Sequence, residues 1–361
     1  MAIPLFDTAP LQAPLHKVIN ERIGEVIERG AFILGPEVQA FEREFADYLG
    51  VRHVVGVGNG TDAITIGLRA LGVQPGDEVV VPSFTFYATA EAAVTAGARP
   101  VFCDVDPDTR NVTAQTVKAA MTPRTKAIVA VDLFGLPAPL DELREFGVPV
   151  LEDAAQAAGA SLSGRRAGAL ADAATFSFYP SKNLGAFGDG GAIATDDDEV
   201  ATLARALRFH GSRDKQSFEY VGYNSRLDEL QAAILRILLG ELDDWCDRRR
   251  AAADAYVQAG IANYVSPPAV PGGAKPAWHL YVVTHPKADD LIAGLKDRGI
   301  GARGYYRTPL HRQAAMAPYA TDAPLPATDK LSRDNLALPM SPVLTSAQAG
   351  EVVAALAALA S

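Results

Sequence analysis

The feature that most constrains the fold is a rhythm that begins at about residue 52. Short apolar runs alternate with helical segments. HVVGVGNG leads into TDAITIGLRALG, DEVVVPSFTF into YATAEAAVTAG, and RPVFCDV into a helix through Val117–Met121. TKAIVAVDLFG, PVLEDAAQ, ADAATFSFYP and GGAIATDD supply further strands. Antiparallel neighbours can be joined by a tight turn, whereas parallel neighbours need a crossover, usually a helix. The alternation therefore predicts an α/β fold: a mostly parallel sheet with helices on both faces. The continuous apolar stretches EVVVP and AIVAV agree, because a strand covered on both sides has no polar face to show.

Around this core, residues 14–29 read as an amphipathic helix. FILGPEVQAFEREFADYLG continues as a second helix after the Gly35–Pro36 break. One long helix is expected from Leu227 through LDELQAAILRILLGELDDW, with Leu227, Leu230, Ile234, Ile237 and Leu238 on one face. The Pro/Gly-rich segment Ser266–Trp278 interrupts the pattern. HLYVVTHP, a helix around Asp290–Arg298 and a final helix from Ser346 then form a smaller α/β unit. The expected organisation is a large domain over residues 1–240 and a small C-terminal domain over 241–361. The first thirty or so residues are expected to pack with the small domain.

Composition narrows the function. A net charge of −10 without a Lys/Arg-rich run argues against nucleic-acid binding. Cys103 and Cys246 lie far apart with no metal-like spacing, so neither a disulfide framework nor a metal site is expected. The N-terminus lacks the basic and apolar regions of a signal peptide, and Ala354–Ala360 is too short to span a bilayer. A soluble cytoplasmic protein without membrane partners is the expectation.

Three segments carry chemistry where loops leave strands, which is where open α/β sheets bind ligands. In TFSFYPSKNLGAFGDGG (Thr175–Gly191), Lys182 is flanked by aromatic, small and glycine residues. Desolvation there lowers an amine's pKa and suits it to attack a carbonyl, although most lysines are simply solvated charges. GVGNGTDA (Gly56–Ala63) is a glycine-rich turn before a helix, able to hold a phosphate on backbone N–H groups with Thr61 as side-chain donor. It is also readable as a plain turn or as a dinucleotide site. The latter is weakened because Thr61 replaces the last glycine and Glu78 begins the next strand instead of ending it. Asp153 ends an apolar strand in PVLEDAAQAAG, a costly place for a carboxylate without a cation or donors. A protonated ring nitrogen of pyridoxal phosphate is one such partner; a helix N-cap is the simpler alternative. Gln156 follows three residues later. Ser177 is readable as a phosphate donor or a strand residue, and Phe86 as a platform for a planar ring or a core aromatic.

NGTDAITIGLRALGVQPGDEVVVPSFTFYATAEAAVTAGARPVFCDVD, TPRTKAIVAVDLFG, EDAAQAAGA, DAATFSFYPSKNLGAFGDGGAIATDD and VGYNSRLDELQAAIL resemble the DegT/DnrJ/EryC1/StrS family of sugar aminotransferases. The resemblance runs from about Phe32 to LALPMSPVLT. It implies a pyridoxal-phosphate enzyme of the fold type I architecture, a homodimer with active sites at the subunit interface. By the same resemblance, Lys182 matches the Schiff-base lysine, Asp153 the pyridinium partner, Gln156 a ring-contacting residue and Phe86 the stacking aromatic. Gly60, Thr61 and Ser177 match the phosphate cradle, and Asn224 an asparagine that reaches the neighbouring subunit's phosphate.

Relatives that act as dehydratases carry histidine in place of the lysine, so Lys182 favours transamination. The segment GIGARGYYRTPLHRQ departs from the family's H-Y-P run, with Tyr305 and Arg307 in the histidine and proline positions. Tyr306 and His311 are the candidate substrate contacts there. The implied reaction takes an amino group from glutamate or glutamine to a keto-sugar nucleotide. A dTDP-4-keto-6-deoxyhexose is the first expected acceptor, its 3-keto isomer the second and a keto-inositol the third. An NAD-dependent oxidoreductase and a non-catalytic regulatory protein are the readings from other classes.

Overall fold

The computed structural model describes residues 2–7 and 9–360; Met1, Thr8 and Ser361, which include the outer limits of the two expected domains, lie outside the described residues. The described residues form twelve strands: β1 (His53–Val57), β2 (Glu78–Pro82), β3 (Arg99–Cys103), β4 (Thr125–Val131), β5 (Val150–Asp153), β6 (Ser161–Leu162), β7 (Arg165–Arg166), β8 (Ala173–Ser177), β9 (Gly191–Thr195), β10 (Ala274–Lys275), β11 (Tyr281–Thr284) and β12 (Asn335–Leu338). Seven of them make one sheet in the order β1-β9-β8-β5-β4-β2-β3. Pairing is parallel from β8 to β3, and β9 is antiparallel to both of its neighbours. β1 consequently runs in the same direction as the parallel set. The C-terminal ends of β1, β2, β5 and β8 all meet along one edge.

Side-chain alternation explains why the apolar strands show no polar face. Val79, Val81, Ala127, Val129 and Leu151 enter one apolar cluster, while Val80, Ile128, Ala130 and Val150 enter another. Successive residues of a strand point to opposite faces, so both faces of the sheet are core.

The helix expected from Leu227 is two helices, Glu229–Leu239 and Leu242–Gln258. Between them the N–H groups of Gly240 and Glu241 donate to the carbonyls of Ile237 and Leu238, three residues back, which tightens the chain into a corner. Gly240 marks the place, since glycine disfavours a helix interior by about 1 kcal/mol relative to alanine. The corner lets the second helix serve two cores. Leu242, Trp245 and Cys246 stay with the large sheet, while Ala252, Ala255 and Tyr256 pack with Tyr281, Leu336 and Leu356 of the small unit.

In the small unit β11 pairs antiparallel with β12, a strand absent from the sequence reading. The described residues among the first thirty divide between the two cores. Ile3 bridges to Ile300 in the small unit, whereas the helix His16–Arg29 lies on the helix Glu229–Leu239 with Ile19 in the large core. Among the described residues no helix is long and apolar enough to cross a membrane.

A long-range cap joins the N-terminal region to this core. Helix Pro36–Leu49 begins without a side-chain cap of its own. The buried Glu229 carboxylate instead accepts the N–H groups of Glu37 and Val38, each at 2.9 Å. Gly35 leaves room for it, because a Cβ there would lie 2.7 Å from Glu229 Oε2. A hydrogen bond to a charged group contributes about 1.5–3 kcal/mol net, and less where water can take over the freed N–H groups of a helix end. Glu229→Ala is therefore expected to lower unfolding stability by about 2–3 kcal/mol, with Gly35→Ala moving in the same direction. Urea denaturation reads both, and a Glu229→Ala protein as stable as the wild type would remove the cap from this account.

Candidate active site

The converging strand ends border a cavity of about 1320 Å³. Gly60, Thr61, Phe86, Thr89, Asp153, Gln156, Ser177, Lys182 and Tyr306 all line it, so residues spread over nearly 250 positions of sequence meet in one place. A second, open concavity of about 1110 Å³ lies at the opposite strand ends. Its Arg52, Arg144 and Arg166 are already paired with Asp198, Asp172 and Asp243, which leaves it a self-neutralised surface.

Asp153 closes the end of β5 and is buried. Its Oδ1 accepts the Ala155 N–H at 3.2 Å and its Oδ2 accepts the Thr89 hydroxyl at 3.1 Å. Burial pushes its carboxyl upward, while those donors and the Lys182 ammonium pull it back. Lys182 shows the mirror image. Burial brings its amine down to about 8, against the pull of Asp153 toward the charged form.

The phosphate corner is built by close packing. Asn59 caps the helix Gly60–Ala70, its Oδ1 accepting the Asp62 N–H at 2.8 Å, and Gly60 and Thr61 in the first turn line the cavity. A Cβ on Gly60 would lie 2.7 Å from Ser177 Cβ, and one on Gly191 would overlap the Asn59 carbonyl. Only glycine at both positions lets β8 and β9 press against the turn. That contact sets Ser177 beside the helix N-terminus, where backbone N–H groups and the helix dipole favour an anion.

Gln156 belongs to a closed loop of contacts. Its Oε1 accepts the Phe134 N–H at 2.8 Å, its Nε2 donates to the Tyr306 hydroxyl at 3.1 Å, and the Tyr306 ring stacks on Phe134 at 5.9 Å. The backbone N–H assigns the amide orientation. One Nε2 hydrogen is left over. Tyr306 is held at φ 57° and Phe134 at φ 58°, left-handed conformations that a non-glycine residue adopts only when its surroundings compel it. Phe86, by contrast, is 57% exposed and lines the cavity.

The structure does not bring two expected residues into the cavity. His311 bonds Ser83 Oγ through Nδ1 at 2.7 Å and packs near Phe102, because its 3₁₀ turn docks on the loop after β2; it is not among the lining residues. Asn224 is exposed, with its side-chain oxygen bonded by Arg226, and lies outside the cavity formed by one chain. Arg307, which stands out in the sequence, is latched to Asp289 and to the Ser332 carbonyl.

Three lining residues were missed. Thr89 holds Asp153. Arg303 lies over the Tyr305 ring at 5.4 Å. His279 has its Nδ1 buried without a partner and is kept neutral, its pKa pushed well below the usual range by burial and by Lys182. None of the three carries a local sequence signal. Their places depend on how the helix Ala88–Thr95 and the small unit dock on the sheet.

An amine, a buried carboxylate, a helix N-terminus suited to an anion and an exposed aromatic side chain around one cavity fit pyridoxal phosphate. Among the described residues no cluster of His, Cys, Asp and Glu could hold a metal ion.

Known proteins agree with this reading. The model of the DegT/DnrJ/EryC1/StrS aminotransferase family matches residues 14–357. A dTDP-3-amino-3,4,6-trideoxy-alpha-D-glucose transaminase of Streptomyces venezuelae is 44% identical, over 97% of this chain and 94% of that protein. A pleiotropic regulatory protein of Geobacillus stearothermophilus is 43% identical, over 98% and 97%. The crystal structure of S. venezuelae DesV in complex with a ketimine intermediate superposes with a TM-score of 0.96 at 43% identity, covering 99% of this chain and 98% of that one.

The opposed effects of burial and Asp153 on Lys182 give a pH prediction. In the cofactor-free protein, trapping of added pyridoxal by Lys182 should titrate with a midpoint near 8. In Asp153→Asn the midpoint should fall, because a charge that favours the ammonium form has been removed. A wild-type midpoint at the ordinary lysine value of about 10.4 would contradict the burial of this amine.

Proposed function

The chain belongs to the DegT/DnrJ/EryC1/StrS aminotransferase family and is a pyridoxal-phosphate-dependent sugar aminotransferase; from that premise we propose that it aminates the 3-keto group of a nucleotide-activated deoxysugar, with glutamate or glutamine as donor. The observation that carries the reaction class is the Lys182 amine, held near neutrality across one cavity from the buried Asp153 carboxylate. The choice of position 3 is supported by the 3-amino product named for the Streptomyces relative. The 4-keto isomer, the first expectation from the sequence, becomes the second acceptor. A regulatory role, which the Geobacillus relative's name suggests, would not require Lys182 and Asp153 to be arranged in this way.

When bound, pyridoxal phosphate supplies an aldehyde for the amine and a ring that withdraws electrons from the substrate carbon. The chain's own residues do the rest. Gly60 and Thr61 N–H groups with Ser177 would hold the phosphate at the helix N-terminus. Asp153, fixed by Thr89 and Ala155, would be the carboxylate to hold a proton on the ring nitrogen. Phe86 would supply an aromatic surface for the ring, and Gln156, braced by Phe134 and Tyr306, a side-chain amide. Lys182 Nζ would serve as the base that moves the substrate proton, a role favoured by an amine brought down to about 8. Arg303 and Tyr305 at the cavity wall suit the phosphates of the nucleotide. Asn224 reaches a neighbouring copy's cavity in a homodimer with shared sites. The exposed apolar side chains of Tyr179, at the cavity, and Phe187 support such an assembly. A cytoplasmic location completes the reading.

Holoenzyme should show a near-visible absorption band that borohydride abolishes and that Lys182→Ala lacks, with turnover lowered at least about 10³-fold in that variant. A colourless protein that cannot be reconstituted would defeat the cofactor roles. With glutamate as donor, a panel of 3-keto and 4-keto nucleotide sugars and keto-inositol should give the 3-amino product fastest, read by mass and NMR. Mixing inactive Lys182→Ala with Asn224→Ala should regenerate activity. No recovery from subunits that demonstrably exchange would argue against shared sites.

A further inference from the structure

Beside Asp153 lie two more buried carboxyl groups that the transamination does not use. Asp132 follows the last residue of β4 and Glu152 precedes Asp153 on β5; both have 0% exposure. In the register Ala130 faces Glu152 and Val131 faces Asp153, and the Asp132 N–H donates to the Asp153 carbonyl at 3.1 Å. Alternation along β5 puts the Glu152 side chain on the face of the sheet opposite to the Asp153 carboxylate.

Hydrogen-bond accounting at this pair leaves one oxygen over. Glu152 Oε1 accepts the Gly168 N–H at 2.8 Å and Oε2 the Leu170 N–H at 3.3 Å. Asp132 Oδ1 accepts the Ala138 N–H at 2.8 Å. Asp132 Oδ2 is buried and has no donor. An ionised carboxylate oxygen in that position would be unpaired, whereas a protonated one donates to its neighbour. The Glu152 side chain, on the same face of the sheet as Asp132, is the acceptor available to it.

We propose that Asp132 and Glu152 hold one proton between them, carried on Asp132 Oδ2 and donated to Glu152, so that the pair bears a single negative charge behind Asp153. The groups around it agree. Burial holds both carboxyls above their ordinary values; the Glu152 and Asp153 charges push Asp132 further up, while the hydrogen bond from Asp132, the Gly168 and Leu170 N–H groups and Arg165 favour the charged form of Glu152. Arg165 is itself paired with Asp141. A second charge on the pair would drive Asp153 toward its neutral form. Asp132 and Glu152 are thus positioning residues, and this consequence rests on Asp153 being the carboxylate that faces the cofactor.

The test is infrared spectroscopy of the holoenzyme in heavy water at neutral pH. The wild type should show a protonated-carboxyl C=O stretch that shifts when aspartate carries carboxyl ¹³C and vanishes in Asp132→Asn. In that variant the amide nitrogen replaces Oδ2 and donates to Glu152 in the same way, so the cofactor band is kept and kcat/KM stays within about threefold. The unfolding constant provides a second reading. The pair's pKa is raised in the folded state, so its stability contribution is complete below about pH 4 and declines as pH rises toward the folded value. Asp132→Asn should flatten that decline by up to about one proton. A wild-type spectrum without the band, a band unmoved by labelled aspartate, or one that persists in Asp132→Asn would overturn the proposal. If the Asn variant does not fold, the labelled wild type decides alone. The vibrational reading concerns the proton itself, so it stands or falls independently of the acceptor sugar.

Discussion

A carboxylate at the end of a strand buried on both faces needs donors or a cation, and much of this structure is organised around that need at Asp153. Two donors come from the chain, the Ala155 N–H and the Thr89 hydroxyl. They fix the position of the carboxylate without neutralising it. The Lys182 ammonium acts on it across the same cavity, and burial weakens the charged form of both groups at once. The result is an acid–base pair poised against each other's preference: an amine able to be free near neutrality and a carboxylate that gains most when a cation arrives. This is the electrostatic condition that pyridoxal phosphate chemistry requires of a protein.

The surrounding shell holds this arrangement by steric exclusion as much as by attraction. Glycines 60 and 191 allow three strand ends and one helix N-terminus to close up to backbone contact, so that the anion site and Ser177 share a wall. Across the cavity Phe134, Gln156 and Tyr306 brace one another through two hydrogen bonds and a ring stack. Two of these three residues hold left-handed backbone conformations. Strain of that kind is worth about 1–3 kcal/mol per residue and persists only where packing imposes it. Here it delivers a tyrosine from the small unit to a glutamine of the large sheet, which couples the docking of the two units to the shape of the site.

How much of this was legible beforehand depends on the range of the interaction. Lys182, Asp153, Gly60 and Thr61 line the cavity, and each sits in a short segment whose composition is itself unusual; Gln156, Phe86 and Ser177 line it too, but their own segments left Ser177 and Phe86 open between a ligand role and a structural one. His311 has the chemistry of a ligand, but its 3₁₀ turn places it against Ser83 instead of the cavity. Arg307 stood out as a departure and is a latch to Asp289, while the unremarkable Arg303, four residues earlier, lines the wall. The break at Gly240 was marked by a glycine that a long apolar face outweighed in the reading. β12 was hidden because its four residues are uniformly buried, with no alternation to expose the period.

The sequence by itself determined the parallel α/β architecture, since apolar runs joined by helical crossovers have few other ways to bury both faces. It also singled out the candidate reactive groups, since a lysine in an apolar loop and an aspartate at a strand end are locally anomalous. Only the tertiary structure decided which side chains share the cavity, that Glu229 caps a helix almost two hundred residues away, and that Asp132 meets Glu152 with one oxygen lacking a donor. The physical reason is one of distance. Propensity and hydrophobic period act over a few residues and are written in every window of the chain. Desolvation, charge coupling and hydrogen-bond satisfaction depend on neighbours that become adjacent only after the sheet has closed.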